Sequence, residues 1–496
     1  MTNKNFYLTT TLPYVNADPH IGFALEIIQA DVIARYHKLL GKNVIFNTGT
    51  DEHGLKIYRK AFELGIEPQK YCDEYAAKFD ALKQALNLSY THFIRTTDPH
   101  HIKAAQEFWL RCEKNGDIYK KNYSVKYCVG CELEKTDSEL AENKCPVHPN
   151  LEIELIEEEN YFFKFSKFQK PLLELYAKNP NFVIPANRLL EIKNFVEKGL
   201  EDFSISRLKE KMPWGIPVPN DEKHVMYVWF DALINYISTL GWPEEDEENF
   251  NNFWPGVQVA GKDNLRQQSA MWQAMLLSAN LPTSKQVFIH GFVTAEGQKM
   301  SKSLGNVVEP YKIVEKYGTD ATRYYLLGAL PSYDDGDFSI ERFEEFYTAH
   351  LVNGVGNLTS RILTMLEKYG DSKIPKIVDC GFEIAKFWNH YDQSVNDYKF
   401  ESVVELINNF VGQLDSLISE QKPWEKAKAG EDISGLLYQL AEGLRHIAVA
   451  LLPIIPESAN KILNQLATED TSKEWGRLIE GSEIKKGEIL FPRLEK

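Results

Sequence analysis

The chain has 496 residues, 43% of them hydrophobic and 12% aromatic, a supply of apolar surface that excludes a disordered chain, a collagen and a small disulfide-stapled scaffold. Fifty-six Lys+Arg against 71 Asp+Glu give a formal net charge of -15, which excludes a general electrostatic grip on nucleic acid or an anionic membrane, so any RNA contact must be local. No run reaches the ~18 to 20 uncharged apolar residues of a membrane span and the opening MTNKNFYLTTTLPY lacks a signal-peptide pattern, so a cytoplasmic protein is expected.

Residues 6–12 predict a buried strand. Asp18 and Pro19 then offer a helix cap and first-turn proline, Ile21, Leu25, Ile28, Val32 and Leu39 recur at helical spacing, and Gly41 ends the run. A strand at 44–48 completes a parallel βαβ unit. The alternation returns as a strand at 257–261, a helix containing Trp272 and Leu276, and a strand at 287–291, so one α/β sheet is expected to be split by an insertion. That insertion, from about Gly116 to Met226, is of mixed α+β character; it holds a cysteine cluster, the aromatic run Tyr161, Phe162 and Phe163, and the proline-punctuated segment Pro213 to Pro219. After about Asp337 the pattern turns helical, with long amphipathic stretches at Leu351 to Tyr369 and Leu436 to Leu452. The acidic runs Glu157 to Glu159 and Glu244 to Glu248 read as solvated surface.

Three motifs carry chemistry. His20-Ile21-Gly22-Phe23 falls on a strand-to-helix turn, where free backbone N–H groups attract phosphate and Gly22 admits a flat base. Lys299-Met300-Ser301-Lys302-Ser303 lies just beyond the last parallel strand, between Gly297 and Gly305, as a hinged loop able to close two ammonium groups over a triphosphate. Cys128-x2-Cys131 and Cys145-x2-His148 match the ligand set of a closed tetrahedral zinc site, whose role is folding rather than catalysis; free thiols are the other reading. Cys72, Cys112 and Cys380 lie scattered and read as packing residues.

The first two motifs are the paired signatures of class I aminoacyl-tRNA synthetases. Together with Thr11-Leu12-Pro13-Tyr14, the run Thr48 to Gly54 (TGTDEHG), the run Tyr227 to Leu233 (YVWFDAL), Gly261-Lys262-Asp263 and His290-Gly291-Phe292, they make the sequence resemble the methionyl-tRNA synthetases over nearly its whole length. Synthetases for valine, isoleucine or leucine carry an editing insertion larger than the roughly 110 residues available here. The resemblance implies a split Rossmann-type catalytic domain (1–115 and 227–337), a connective insertion (116–226) with a zinc knuckle at about 125–150, and a helical-bundle anticodon domain (338–496).

It further implies that the methionine carboxylate attacks the α-phosphate of ATP, with Mg²⁺ accompanying the nucleotide, so no enzyme nucleophile is needed. His20, Gly22, Lys299 and Lys302 are the implied catalytic groups; Phe23, Gly261, Lys262, Asp263 and Ser301 join them in holding ATP, with Asp263 on the ribose. Leu12, Tyr14, Trp229, Ala232, Tyr236, Gln268 and Trp272 are implied to line an apolar, aromatic methionine pocket, and Asp51 to hold the ammonium. Asn357, Arg361 and Trp424 match the elements that read the CAU anticodon of tRNA(Met). The family carries a zinc knuckle in this insertion, in agreement with Cys128, Cys131, Cys145 and His148; His148 replaces the commoner fourth cysteine. Two further departures stand out: Phe23 replaces the motif's second histidine, and Gln268 replaces a pocket histidine. They motivate a rival reading, a catalytically silent paralogue that binds RNA or a protein partner. The absence of an appended dimerisation module implies a monomer.

Overall fold

The computed structural model describes residues 4–494 apart from 132, 136, 244–247, 301–304 and 380–381, and without the side chains at 123, 125, 133, 134, 138, 156, 157 and 299. Four of the acidic residues at 244–248, Ser301, Lys302, Ser303, Cys380, and the side chains of Glu157 and Lys299 therefore lie outside the described residues. The chain divides into two compact units: Met1–Pro19 with Asn43–Lys83 and Tyr90–Ile289, and His20–Lys42 with Gln84–Ser89 and His290–Lys496.

The first unit is built on a six-stranded sheet. Its strands are β1 (Asn5–Thr10), β2 (Asn43–Thr50), β3 (His92–Arg95), β4 (Val183–Ile184), β5 (Val257–Gly261) and β6 (Gln286–His290), in the order β3-β2-β1-β5-β6-β4. β1 pairs in parallel with β2 and β5, β2 with β3, and β6 with β4. β5 is buried at every residue and β1 at all but its first, the mark of a sheet covered on both faces. Buried polar residues of these strands are hydrogen-bonded within the sheet and to the helix Asn235–Ser238: Thr10 Oγ1 donates to Thr48 Oγ1 at 2.8 Å, and Asn47 Nδ2 to Asn235 Oδ1 at 3.1 Å. Gly49 is required by the close approach of β3, since a Cβ there would fall 1.8 Å from the Ile94 carbonyl oxygen.

The insertion is organised by a long antiparallel hairpin of Ile118–Cys128 and Glu154–Phe163, in register from Ile118 opposite Phe163 to Tyr127 opposite Glu154. Its inner end joins an aromatic core in which Trp109 meets Tyr161 and Phe230, and Phe108 meets Trp242 and Trp272, at centroid distances of 5.2 to 5.8 Å for all but Phe108 with Phe230 at 5.9 Å. Its outer end carries the cysteines.

The second unit contains α1 (Ile21–Leu39), a three-stranded sheet of Val293–Ala295, Gln298–Lys299 and Gly336–Phe338, and the carboxy-terminal helices. α1 begins later than the Asp18-Pro19 signal predicts: Asp18 instead pairs with Lys78 Nζ at 2.6 Å, and the side chain of His20 caps the helix. The amphipathic stretch Leu351 to Tyr369 is likewise not one α-helix. A π-helical segment, Tyr347–Gly356, precedes the α-helix Asn357–Tyr369, with a kink at Gly354 (φ -92°, ψ -107°), where glycines at 354 and 356 weaken the regular ladder. Ser434–Leu451 is buried nearly all round and forms the bundle's central helix.

Two buried ionic clusters hold this unit together. Asp31 on α1 meets Arg323 at 2.8 Å and Arg35 at 2.7 Å, while Arg323 also donates to the carbonyls of Ile454, Leu86 and Pro453. Glu442 accepts from the backbone N–H groups of Gly476, Arg477 and Leu478 at 3.0 to 3.1 Å, and its neighbour Arg445 donates to the carbonyls of Ser472 and Glu474, both at 2.7 Å. Among the described residues no helix is long and apolar enough to cross a membrane.

Candidate active site, metal centre and RNA-contacting residues

In the first unit, the segments that leave β1 and β2 continue side by side past the sheet. Tyr14 and Asp51 form a parallel bridge, with Val15 N–H donating to the Asp51 carbonyl at 3.2 Å and Asp51 N–H to the Pro13 carbonyl at 3.0 Å. That bridge sets the buried Asp51 next to the half-buried Tyr14, and Leu12, also half-buried, lies two residues before Tyr14. Trp229 and Ala232 sit on the short helix Val228–Ala232. Tyr236 is buried edge-on against Trp272 at 5.8 Å, and Gln268 donates to the Tyr236 hydroxyl at 2.7 Å. Trp272 is fully buried while Trp229 is half-buried, and both indole N–H groups lack a hydrogen-bond partner among the described residues.

Beneath the Val228–Ala232 helix lies a group that sequence reasoning missed. The Asp231 carboxylate faces His53 Nδ1 at 2.7 Å and His101 Nε2 at 2.9 Å, all three side chains being buried. Burial pushes the Asp231 carboxyl up, but His53 and His101 more than reverse this and leave it below the usual carboxylate range. The pair of contacts ties the segment carrying Asp51 to the helix carrying Trp229. Their separations along the chain, 178 and 130 residues, left no local signal.

The expected nucleotide-contacting residues fall in both units. In the first, Gly261 closes β5 and leads into a 3₁₀ turn, Lys262–Asn264, with Asp263 exposed; the π-helical turn Gln267–Met271 follows. In the second, His20 Nδ1 accepts from the N–H groups of Gly22 at 3.1 Å and Phe23 at 3.4 Å. An imidazole that accepts at Nδ1 is the neutral tautomer carrying its proton on Nε2. Lost hydration lowers the His20 pKa from its ordinary value, against a smaller opposite pull from Glu26. The expectation that the first helix amides are open to phosphate is thus corrected: the His20 ring already occupies two of them. Gly22 is explained by the same contact, because a Cβ there would lie 3.1 Å from the imidazole.

The loop motif begins on the hairpin strand Gln298–Lys299, where Lys299 pairs with Thr294. Asp337 anchors the hairpin by accepting from Thr294 Oγ1 and Gly297 N–H, both at 2.7 Å. Met300 reaches back toward Gly22, with its Cε 3.8 Å from the position a Cβ would take. His290 meets Glu26 of α1 at 2.9 Å.

Cys128, Cys131, Cys145 and His148 converge, their ligand atoms all within 4.8 Å of one another. Cys131 Sγ lies 3.4 Å from Cys145 Sγ and 3.2 Å from His148 Nδ1. Zinc–sulfur bonds of about 2.3 Å in a tetrahedron give edges of about 3.8 Å, so three sulfurs and one imidazole at this spacing fit the ion. Gly130 is pressed against the His148 ring, where a Cβ would fall 2.5 Å from Cγ, which fixes the imidazole toward the sulfurs. Cys72 and Cys112 are buried apart from this cluster.

In the helical region, Asn357 is exposed and Arg361 follows one turn later, its guanidinium paired with Asp415 of the helix Phe400–Gln421. Trp424 is 36% exposed and follows Lys422, whose left-handed conformation (φ 44°) turns the chain sharply before Pro423–Lys428. On the base-stacking role that the resemblance implies, Trp424→Ala is expected to weaken aminoacylation by about tenfold to a hundredfold, the ~1 to 3 kcal/mol of one base–indole stack, while leaving adenylate formation nearly intact. Comparison of aminoacylation with pyrophosphate exchange checks this; an equal loss in both would make Trp424 a packing residue.

The family model described as "tRNA synthetases class I (M)" matches residues 6–152 and 135–363. A methionine–tRNA ligase of Thermosynechococcus vestitus is 42% identical over 520 residues, taking in 99% of this chain and 98% of that one. One of Thermotoga maritima is 40% identical, over 99% of this chain and 80% of that one. Among solved structures, the methionyl-tRNA synthetase of Mycobacterium tuberculosis in complex with methionyl-adenylate matches with a TM-score of 0.93 and 35% identity, over 99% of this chain and 100% of that one.

Proposed function

The chain belongs to the class I methionyl-tRNA synthetases, and from that premise we propose that it is a methionine–tRNA ligase. It activates L-methionine with ATP to methionyl-adenylate, releasing pyrophosphate, and passes the methionyl group to the 3′ end of tRNA(Met). The observation that carries this reading is the likeness to the ligases from end to end of the chain.

In the first step a carboxylate oxygen of methionine attacks the α-phosphorus, the bond to the bridging oxygen breaks, and pyrophosphate leaves in line; in the second a terminal hydroxyl of the tRNA attacks the acyl carbon and AMP leaves. Asp51 holds the ammonium; Leu12, Tyr14, Trp229, Ala232, Tyr236, Gln268 and Trp272 enclose the side chain. His20, being neutral, donates from Nε2 to phosphate while its Nδ1 keeps the helix start closed. Gly22, Phe23, Gly261, Lys262 and Asp263 hold adenosine, and Lys299, Ser301 and Lys302 stabilise the phosphoryl charge. Mg²⁺ travels with ATP. Zinc sits on Cys128, Cys131, Cys145 and His148 and supplies folding energy alone. Asn357, Arg361 and Trp424 read the CAU anticodon. The domain limits are those set out at 115, 226 and 337, and the protein acts as a cytoplasmic monomer.

Methionine-dependent ATP–pyrophosphate exchange on the purified chain tests the reading; exchange absent with every amino acid would favour the silent paralogue. Lys302→Ala is expected to slow exchange by a factor of roughly 10², the ~3 kcal/mol of one transition-state donor, with little change in the Michaelis constant for methionine. An unchanged rate would remove this loop from the chemistry.

A further inference from the structure

The segment that follows Asp51 is held by parts of the chain remote from it. The Glu52 N–H donates to Thr96 Oγ1 at 2.9 Å, and the Glu52 carbonyl accepts from Trp214 Nε1 at 2.6 Å. The buried Glu52 carboxylate accepts from Arg95 Nε and Nη2 at 2.6 and 2.9 Å, and from the hydroxyls of Thr50 and Thr97 at 2.6 and 2.5 Å. The Gly54 N–H donates to the Trp214 carbonyl at 3.2 Å, so Trp214 is bonded to the residues on both sides of His53, and its indole lies 5.6 Å from the imidazole between centroids. The backbone on either side of His53 is thereby fixed, and with it the point from which the imidazole reaches out.

What it reaches is Asp231. An ionised carboxylate can only accept, so both imidazoles donate to it: His53 from Nδ1 at 2.7 Å and His101 from Nε2 at 2.9 Å. His101 belongs to the long helix Pro99–Lys114, and its Nδ1 meets Ser238 Oγ at 3.0 Å, so this oxygen of Asp231 is tied to a rigid part of the first unit. The other oxygen is taken by His53. Asp51 lies two residues before His53 and Trp229 two residues before Asp231, so one buried hydrogen bond connects the two stretches of chain that carry them.

We propose that His53 and Asp231 are positioning residues that set the separation of the two ends of the amino-acid site, so that a ligand whose ammonium is on Asp51 finds Trp229 already in place for its side chain. Neither group touches the substrate in this role. A frame preset in this way removes ordering that binding would otherwise have to impose, and only a ligand that reaches both ends gains from it. The inference rests on the reading of Asp51 and Trp229 as those two ends.

The test uses the full chain in methionine-dependent pyrophosphate exchange. His53→Leu, which cannot donate, is expected to raise the Michaelis constant for methionine by about tenfold to a hundredfold, the range for a hydrogen bond to a charged group, with kcat and the Michaelis constant for ATP unchanged. His53→Asn keeps an N–H donor at the same number of bonds from the backbone and should return the constant to within about threefold of the natural chain. The probe for coupling is 4-(methylthio)butanoate, which has the side chain of methionine and no ammonium; its inhibition constant should be the same for His53→Leu and the natural chain. An equal loss for this analogue, a fall in kcat at constant Michaelis constant, or no change in either would overturn the positioning role. Should His53→Leu not fold, Asp231→Asn, which leaves one oxygen for two donors, is read by the same criteria. A natural chain that shows no exchange with methionine would instead overturn the reading of the site.

Discussion

Protein purified without added metal is expected to contain one equivalent of zinc, and its removal by a chelator to unfold the outer end of the Ile118–Cys128 and Glu154–Phe163 hairpin while the parallel sheet persists. The cause is the poverty of this end of the insertion in anything else that could hold it: the segment between the strands has short elements and exposed Val147 and Leu151. Closed structural zinc sites contribute apparent free energies of about 10 to 16 kcal/mol near neutral pH, far above what such a loop could gain by packing. Elemental analysis and limited proteolysis between residues 128 and 148, before and after chelation, are the measurements. Metal-free protein whose three clustered thiols all react freely, with no change in proteolysis, would refute the site. With three thiolates and one neutral imidazole, the loaded centre carries a net charge one unit less negative than a four-cysteine centre.

Arg323→Leu is expected to destabilise the second unit by ~3 to 5 kcal/mol, the usual cost of removing one partner from a buried ion pair. The variant would leave the buried Asp31 carboxylate with Arg35 as its remaining guanidinium, and the carbonyls of Leu86, Pro453 and Ile454 without the N–H groups that now reach them. Burial pushes the Asp31 carboxyl up, but Arg323 and Arg35 more than offset this and hold it below its ordinary value. Burial also pulls Arg323 down, although a guanidinium keeps its proton at any pH of interest. A carboxyl whose folded pKa is depressed adds stability above its unfolded value of about 3.9, and loses it as the pH falls through the folded value. The deficit of the variant should therefore be constant near neutrality and narrow only below about pH 4. Urea unfolding at pH 7 and in that acidic range checks both parts; equal midpoints at pH 7 would show that the pair contributes nothing.

Four strands of the parallel sheet, β1, β2, β5 and β6, were legible as short runs bounded by turn residues, whereas β3 and β4, the latter inside the expected insertion, were not; the Cys128, Cys131, Cys145 and His148 cluster was legible because it falls in two local pairs. Paired signature motifs likewise announced the family. What stayed hidden depends on groups remote in sequence or on backbone detail. Asp18 and Pro19 look like a helix start, yet the imidazole of His20 reaches back to the amides and moves the boundary. Glycines 354 and 356 lie inside a stretch whose apolar period is unbroken, so the π-helical kink leaves no trace in the pattern. His53, His101 and Asp231 come from three separate segments. Gln268 was visible as a departure from the family; its hydrogen bond to the Tyr236 hydroxyl was not.

The clasp at Glu442 and Arg445 bears on how the protein can be shortened. Residues 470–478 have almost no regular structure, and a sequence-based trim after the helix Pro456–Gln465 would look harmless. Yet the carboxylate and guanidinium of the central helix, which pair with each other at 2.7 Å, take their remaining hydrogen bonds from the backbone of that segment, so cutting there would leave a buried ion pair with those bonds unmet. The irregular segment thus acts as a latch held by its backbone groups and by two side chains, Trp475, which stacks on His446 and donates to the Val378 carbonyl at 3.0 Å, and the buried Leu478. Its length is therefore fixed together with these two anchors.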